Sequence, residues 1–379
     1  MARITVCMPA YNRADTIARS IESVRAQHFQ DWELVVVDDG STDETRDVVG
    51  AIPDSRVRLV RQENQGLPGA RTTGLAAART ELIAFLDSDD LMTPHHLALA
   101  VAFFDAHAGD HVFSSEVWDH FGSGLVVKHF RPEVGEWYPR TARRIGSPAF
   151  AEPPKDGDPY LRVYERREEV GDWGREIVAR SGHSEVHHYR GDIARHWRWG
   201  WLFSVQPTVI TRVARDAVGA FDARYRFGAD FHWCARLCAR FPVSFFSLPG
   251  TLWQEHAEGG RKIREDHLSS GRNTVRLYEE FVRIHEELFP PGDPPDPELA
   301  ALIGYQHFLV ATIAAEQRQR EKALEHVRRA LGRYPAWEAR GLAWLLEAIP
   351  SDRLSGDLYR ALTRSWARLS RALRLGPRG

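Results

Sequence analysis

Short apolar runs alternate with amphipathic stretches through the N-terminal part of the chain. Ile4-Thr5-Val6-Cys7-Met8 reads as a strand, after which Ile17, Ile21 and Val24 recur at the spacing of one helix face. Trp32 to Val37 is a second apolar run; it leads into Asp38-Asp39-Gly40-Ser41 and then Thr42-Asp43-Glu44-Thr45, the pattern of a capped helix start. Val57 to Val60 is a third, followed by a Gly-containing turn over Asn64 to Arg71 and a helical segment from Thr73 to Arg79. A fourth run, Leu82 to Leu86, ends abruptly in Asp87, Ser88, Asp89 and Asp90. Strands and helices in alternation with short connections predict a doubly wound, mostly parallel α/β sheet whose strand carboxyl ends share one crevice.

Four loops converge on that crevice, bringing Tyr11 and Arg13, Asp38 and Asp39, Gly69 and Arg71, and Asp87 with Asp89. Carboxylates at this spacing raise one another's pKa unless a cation neutralises them, and hard oxygen ligands suit Mg²⁺ or Mn²⁺. The same residues also suit a helix N-terminus, with Ser88, Asp89 or Asp90 capping a helix that starts near Pro94. Taken alone, the stretch supports both readings. No Gly-x-Gly-x-x-Gly turn follows the first strand and no Walker lysine motif occurs, so the standard dinucleotide and NTPase phosphate loops are excluded.

Periodicity weakens further along. From about 122 to 200 the chain is long, charged and punctuated by prolines, the pattern of an insertion or lid. Within it Trp197, Trp199 and Trp201 alternate at strand spacing, either as a stacking surface with Trp173 or as one strand face packed on the core. After about Ser269 the pattern turns helical. Leu277, Phe281 and Ile284 share a face, and Lys322 to Pro335 resembles the second helix of a single tetratricopeptide unit, which predicts a helical appendage that packs on the main domain or forms a homodimer. In the last helix Leu362, Trp366, Leu369 and Leu373 form a stripe opposite Arg360, Arg364, Arg368, Arg371 and Arg374. That suits peripheral contact of 360–375 with an anionic membrane, or a packed helix with solvated arginines.

Composition narrows the classes. With 43% hydrophobic and 11% aromatic residues the chain is globular, and a formal net charge of -2 gives no basic field for a dedicated nucleic-acid binder. Three cysteines make no disulfide framework, and the first strand begins too early for a leader, so a reducing, cytoplasmic setting is expected. No apolar run reaches the roughly 18 to 20 residues of a membrane span. Cys234 and Cys238 read as buried helix-face thiols, and His183, His187 and His188 as a polar segment rather than a zinc set.

The strings VCMPAYNRADTIARSIESV, WELVVVDDGSTDET, NQGLPGARTTGLAAA and ELIAFLDSDD, in this order, resemble the family 2 glycosyltransferases of the GT-A fold. The resemblance is close over about the first hundred residues and weaker to about position 260. It implies a nucleotide-sugar-binding half over 1–110, an acceptor half over 111–268 containing the insertion, and a helical region over 269–379. By the same resemblance Pro9, Ala10, Tyr11 and Arg13 cup the nucleoside, Asp39 contacts the base, usually uracil, and Gly69 and Arg71 lie in the third loop near the nucleotide. Asp87-Ser88-Asp89 falls on the DxD motif, where Asp89 is the metal contact and Asp87 engages ribose or metal-bound water.

Further on, Phe221-Asp222 and Ala229-Asp230 fall on the family's second signature, which makes Asp230 the general base of an inverting transfer. His256 matches a histidine that faces metal or diphosphate in many GT-A enzymes. Two departures stand out. Thr72 replaces a common asparagine, and Ala229 replaces the usual glutamate, leaving His232 as a neighbour that could share proton transfer. The implied activity is a Mg²⁺- or Mn²⁺-dependent transfer from a UDP-sugar, or another nucleotide-sugar, to a hydroxyl of a glycan, lipid carrier, small molecule or peptide. The alternatives are a non-catalytic nucleotide-sugar-binding scaffold, kept open by Ala229, and a GT-A-like nucleotidyltransferase, disfavoured by the Pro9-Ala10-Tyr11-Asn12 turn.

Overall fold

The computed structural model describes residues 2–120, 126–128, 138–254, 274–290, 292, 296–317, 319–334 and 337–348. The chain divides into two compact units, Met1–Arg140 with Ala149–Gly260, and Thr141–Pro148 with Arg261–Gly379.

The first unit is built on one mixed sheet. Strands β1 (Ile4–Ala10), β2 (Trp32–Asp38), β3 (Val57–Arg61) and β4 (Leu82–Phe85) run parallel in the order β3-β2-β1-β4. Every residue of β1 and β4 is buried, as continuous apolar runs require when helices cover both faces. Helices α1 (Ile17–Arg25), α2 (Thr45–Gly50) and α3 (Gly66–Ala77) make the crossovers. The expected doubly wound α/β architecture is therefore present.

Helix α3 begins earlier than the punctuation of its sequence suggests, so Gly69 and Arg71 lie on a helix and not in a turn. Two local effects permit this. Gly66 takes φ +75° at the helix entrance, and Pro68 falls in the first turn, where an amide hydrogen is not needed. Gly74 then lets α3 settle on β1, since a Cβ there would lie 3.1 Å from the Cys7 Cβ. That close approach carries Arg71 down towards the end of β4.

Beyond β4 the chain does not enter a helix directly. The two-residue strand β5 (Leu91–Met92) intervenes, and α4 (His96–Ala106) begins after His95, with no side-chain cap. The capping role open to Ser88, Asp89 and Asp90 thus falls away.

The sheet continues through β10 (Val209–Thr211), antiparallel to both β4 and β6 (Val112–His120), and then through the parallel partner of β6, the long strand β11 (Val243–Gln254). Strand β5 pairs with the distal part of β11, and β7 (Val126–Lys128) pairs with β6. Helices α7 (Arg212–Val218) and α8 (Ala229–Cys238) lie between β10 and β11 in sequence.

Where the sequence predicts an insertion, residues from 149 onward extend the same sheet instead of forming a loose lid. Strands β8 (Arg166–Glu169) and β9 (His187–Gly191) add antiparallel to the β11 edge, and α6 (Asp172–Arg180) packs Trp173 and Ile177 on the core. Polar anchors replace the missing periodicity. Glu116 on β6 accepts hydrogen bonds from Tyr160 Oη at 2.7 Å and Trp118 Nε1 at 2.6 Å, while Asp158 accepts from Tyr189 Oη at 2.8 Å and Arg167 Nη1 at 3.0 Å. The tryptophan series is not a strand: Ala194–Trp199 is a 3₁₀ helix. Trp197 is fully buried against Phe203 and Phe231 and donates to Cys238 Sγ at 2.8 Å, so packing, not sugar stacking, accounts for it.

The second unit ends helix α5 (Tyr138–Ile145) and contains α9 (Thr274–Leu288), α10 (Pro297–Glu316), α11 (Arg320–Arg333) and α12 (Trp337–Ala348). Asp296 caps α10, accepting from the amides of Glu298 and Leu299 at 2.9 and 3.1 Å. Val282, Val310, Ala311, Val327 and Leu342 are among its core residues. Contrary to the expectation that no segment is long enough, α10 is long and apolar enough to cross a membrane, but most of its apolar surface is buried in this core. A polar seam crosses the unit, with His307 Nδ1 2.9 Å from His326 Nδ1, and Glu286 and Glu279 3.5 and 3.4 Å from their respective Nε2 atoms. Residues 360–375 lie outside the described residues, as does His256.

Candidate active site

The crevice is assembled from the ends of β1, β2 and β4, from the first two turns of α3 and from the first turn of α8. After β1, Asn12 adopts a left-handed conformation at φ 52°. Its amide donates to Ser41 Oγ at 3.0 Å, and its Oδ1 accepts from the Thr42 amide at 2.8 Å, so the strain is held by the turn after β2. Pro9 and Ala10 are buried as the last residues of β1, whereas Tyr11 is 45% exposed. Asp39 extends the β1–β2 ladder, its amide donating to the Ala10 carbonyl at 2.8 Å. Its Oδ1 accepts from Gln62 Nε2 at 2.7 Å and the Gln65 amide at 2.8 Å, fixing the carboxylate beside the entrance of α3.

The centre of the site is Arg71. Its side chain is 1% exposed and spans two carboxylates: Nη2 donates to Asp87 Oδ1 at 2.7 Å, and Nη1 donates to Asp230 Oδ1. Burial draws the guanidinium pKa down, but Asp230 and Asp87 outweigh it and the net displacement is upward, so the arginine stays charged. For Asp230, burial pushes the carboxyl up, Arg71 pulls it down and Asp87 pushes it up again, with a net rise. Asp230 is therefore a stronger base than an ordinary carboxylate. It belongs to the first turn of α8, with Gly228 at the cap position, so it is not the N-cap of that helix.

Two residues that carry no motif complete the arrangement. Gln206 Nε2 donates to Asp87 Oδ2 at 2.7 Å, and Ser204 Oγ donates to Gln206 Oε1, which sets the orientation of the amide. Thr208 Oγ1 in turn donates to the Ser204 carbonyl at 2.6 Å. Both oxygens of Asp87 are thus engaged by protein donors. Nothing in the string SVQPTVIT signals this role, because a lone glutamine before a strand has no characteristic spacing.

Asp89 faces the other side of the acidic turn, its Oδ2 3.4 Å from Arg13 Nη2. Ser88 is buried and its carbonyl accepts from Thr16 Oγ1 at 3.0 Å. Asp90 Oδ1 accepts from the Gln254 amide at 3.2 Å, tying the turn to β11. The departures from the family pattern are accommodated locally. Thr72 Oγ1 accepts from the Phe221 amide at 3.1 Å, and Ala229 is buried. His232 packs against the Tyr225 ring. Gly69 lies two residues before Arg71 on α3, where a Cβ would lie 2.4 Å from that of Gln65.

A sequence profile, Glycosyl transferase family 2, matches residues 5–167. Those residues belong to glycosyltransferase family 2. The chain is 50% identical over 104 residues to the succinoglycan biosynthesis protein ExoO of Rhizobium meliloti (strain 1021), covering 27% of this chain and 30% of that protein. It is 43% identical over 100 residues to the Escherichia coli UDP-Glc:alpha-D-GlcNAc-diphosphoundecaprenol beta-1,3-glucosyltransferase WfgD, covering 26% of this chain and 40% of that protein. The chain thus spans only about a third of the length of these curated relatives. The crystal structure of S. aureus TarS 1–349 in complex with UDP-GlcNAc matches with a TM-score of 0.58 at 19% identity, over 97% of this chain and 92% of that one. At that identity the likeness concerns the fold, which is that of the GT-A glycosyltransferases.

Proposed function

We propose that this family 2 glycosyltransferase moves a sugar from a nucleotide-sugar, foremost a UDP-sugar, to a hydroxyl of a lipid-linked or polysaccharide acceptor, with inversion at the anomeric carbon. The observation that carries this reading is the double ion pair of Arg71, which holds the acidic turn after β4 and the start of α8 on either side of one guanidinium. A leaving diphosphate at the acidic turn and an attacking hydroxyl at Asp230 would then stand on opposite sides of the sugar. The names of WfgD and ExoO, a UDP-Glc transferase to a diphosphoundecaprenol-linked sugar and a succinoglycan biosynthesis protein, support the donor and acceptor classes.

The donor set suits a hard divalent cation, since Asp87 and Asp89 offer only carboxylate oxygens. Asp87 has both oxygens engaged by Arg71 and Gln206, so Asp89 would be the direct ligand, with Asp87 acting through bound water or ribose. Mg²⁺ or Mn²⁺ held there would stabilise the charge that develops on the departing diphosphate. Asp230 takes the acceptor proton as the hydroxyl attacks. Arg71 keeps Asp230 oriented, and its charge offsets that of Asp87 throughout. Pro9, Ala10, Tyr11 and Asp39 hold the nucleoside.

A thermal-shift series with UDP, GDP and dTDP and their common sugars, each with Mn²⁺ or EDTA, tests the donor site. A Mn²⁺-dependent rise with a UDP ligand, lost in Asp89→Asn, is expected. Folded protein that shifts with no nucleotide would overturn the reading. For the donor so identified, Asp230→Asn should retain the shift and lose turnover.

A further inference from the structure

The two site arginines are held very differently. Arg71 is buried and fixed by paired carboxylates, whereas Arg13 has an anchored backbone and a side chain that is only partly buried. The Arg13 amide donates to Thr45 Oγ1 at 2.7 Å, which anchors the residue to the start of α2. Its Nη1 donates to the carbonyls of Asn12 at 3.1 Å and Tyr11 at 3.4 Å, the turn assigned to the nucleoside. Its Nη2 lies 3.4 Å from Asp89 Oδ2, in a pair whose side chains are 24% and 22% exposed. Long, partly solvated ion pairs of this kind are weak and readily exchanged.

We propose that Arg13 is a built-in counter-cation for Asp89, displaced when a divalent ion and the donor diphosphate arrive together. The inference rests on the donor-site reading above and adds a coupling to it. A divalent ion on Asp89 would stand within Coulomb range of the guanidinium, so each disfavours the other while the site holds no anion. The diphosphate removes the conflict by giving Arg13 a new anionic partner close to the turn it already holds. Metal and nucleotide therefore bind cooperatively, and Arg13 supplies part of the coupling free energy.

The test is a Mn²⁺ titration of the full chain, followed by the electron paramagnetic resonance of free Mn²⁺, without nucleotide and with saturating UDP. Arg13→Gln is expected to bind Mn²⁺ alone about 3- to 10-fold more tightly than wild type, and to lose about tenfold of the gain in Mn²⁺ affinity that UDP confers. Arg13→Lys, which keeps the charge, should restore the weak binding of Mn²⁺ alone. Equal Mn²⁺ affinities for wild type and Arg13→Gln without UDP, or an unchanged gain with UDP, would overturn the proposal. Asp89→Asn separates this from failure of the underlying reading. If that variant binds Mn²⁺ as wild type does in the presence of UDP, the ion is not at Asp89, and the donor site as well as the coupling is refuted.

Discussion

Replacing Arg71 with methionine keeps most of the side-chain volume and removes the charge that Asp87 and Asp230 share through its two Nη atoms. Removing one partner of a buried ion pair costs about 3–5 kcal/mol, because the remaining charge is left uncompensated. For a unit of this size each kcal/mol lowers Tm by about 2–4 °C, so a fall of about 10 °C at pH 7.5 is expected. The sign of the pH dependence distinguishes charge from packing. In wild type the Asp230 pKa is already raised by burial despite the guanidinium. Without Arg71 it rises further above its unfolded value, so the folded variant binds more protons than the unfolded chain as pH falls. The deficit relative to wild type should therefore shrink between pH 7.5 and pH 5. Adding Asp230→Asn removes one of the uncompensated carboxylate charges and should return about 1–3 kcal/mol as non-additivity. Differential scanning calorimetry of the four proteins at both pH values measures this. A deficit that is the same at pH 5 and pH 7.5, with additive single and double changes, would show that Arg71 is held by packing and that the triad has no electrostatic role.

Gln206→Leu removes the donor to Asp87 Oδ2 and should lower UDP release from the identified donor by about 10- to 100-fold with Tm changed by only a few degrees. Gln206→Glu adds a negative charge beside Asp87, favours the protonated form of Asp230, and should move the acid limb of kcat/KM to higher pH; an unmoved limb would sink that coupling. Gly74→Val should cost about 1–3 kcal/mol in urea unfolding, because α3 has no room for side-chain atoms against Cys7 and Val37. Burial holds the imidazoles of His96 at a pKa of about 3 and His307 at about 4, against an ordinary value of 6.5. They stay neutral in the folded state while the unfolded chain takes up protons below about pH 6.5. Their contribution is therefore complete above that pH and is lost as pH falls towards 4, by up to about 1.4 kcal/mol per pH unit for each residue. Urea midpoints at pH 7.5, 6 and 5 should fall accordingly, and a flat series would refute it.

Legibility in the sequence followed the strength of the apolar pattern. Strands β1, β2 and β4 are continuous apolar runs buried along almost their whole length, α1 is periodic with one buried face, and β3, at the edge of the sheet, is half-buried. Helix α3 was hidden because Gly66, Pro68 and Gly69 punctuate its sequence, and only the positive φ of Gly66 and the first-turn position of Pro68 reconcile them with a helix. The added strands β8 and β9 were hidden for a different reason. They carry Arg, Glu and His and are joined to the sheet through Asp158, Glu116 and aromatic hydroxyls, contacts between residues distant in sequence that leave no periodic trace. The carboxylates of the site were conspicuous, since three acids after an apolar strand are costly without a counter-ion. Their partners were not. Gln206 and Ser204 are ordinary polar residues that acquire a role only because β10 lies beside β4.

That asymmetry bears on whether the site is catalytic or merely binds. A buried arginine between two carboxylates is a poor device for stability, because apolar groups of similar volume often serve as well or better by about 1–4 kcal/mol. Its value lies in fixing charge and direction. Arg71 and Gln206 together use both oxygens of Asp87, which leaves that acid in one orientation, while Arg71 uses one oxygen of Asp230 and leaves the raised basicity of that carboxylate in place. Ala229 contributes no second acid to the start of α8, and His232 is packed against Tyr225. In the proposed reaction, proton transfer from an acceptor hydroxyl would fall to Asp230, and a simple donor-binding scaffold gives no reason to set a carboxylate there against an arginine that already has a partner in Asp87. Under the proposed transfer, the ion-paired triad would hold a base at a set distance from the departing diphosphate.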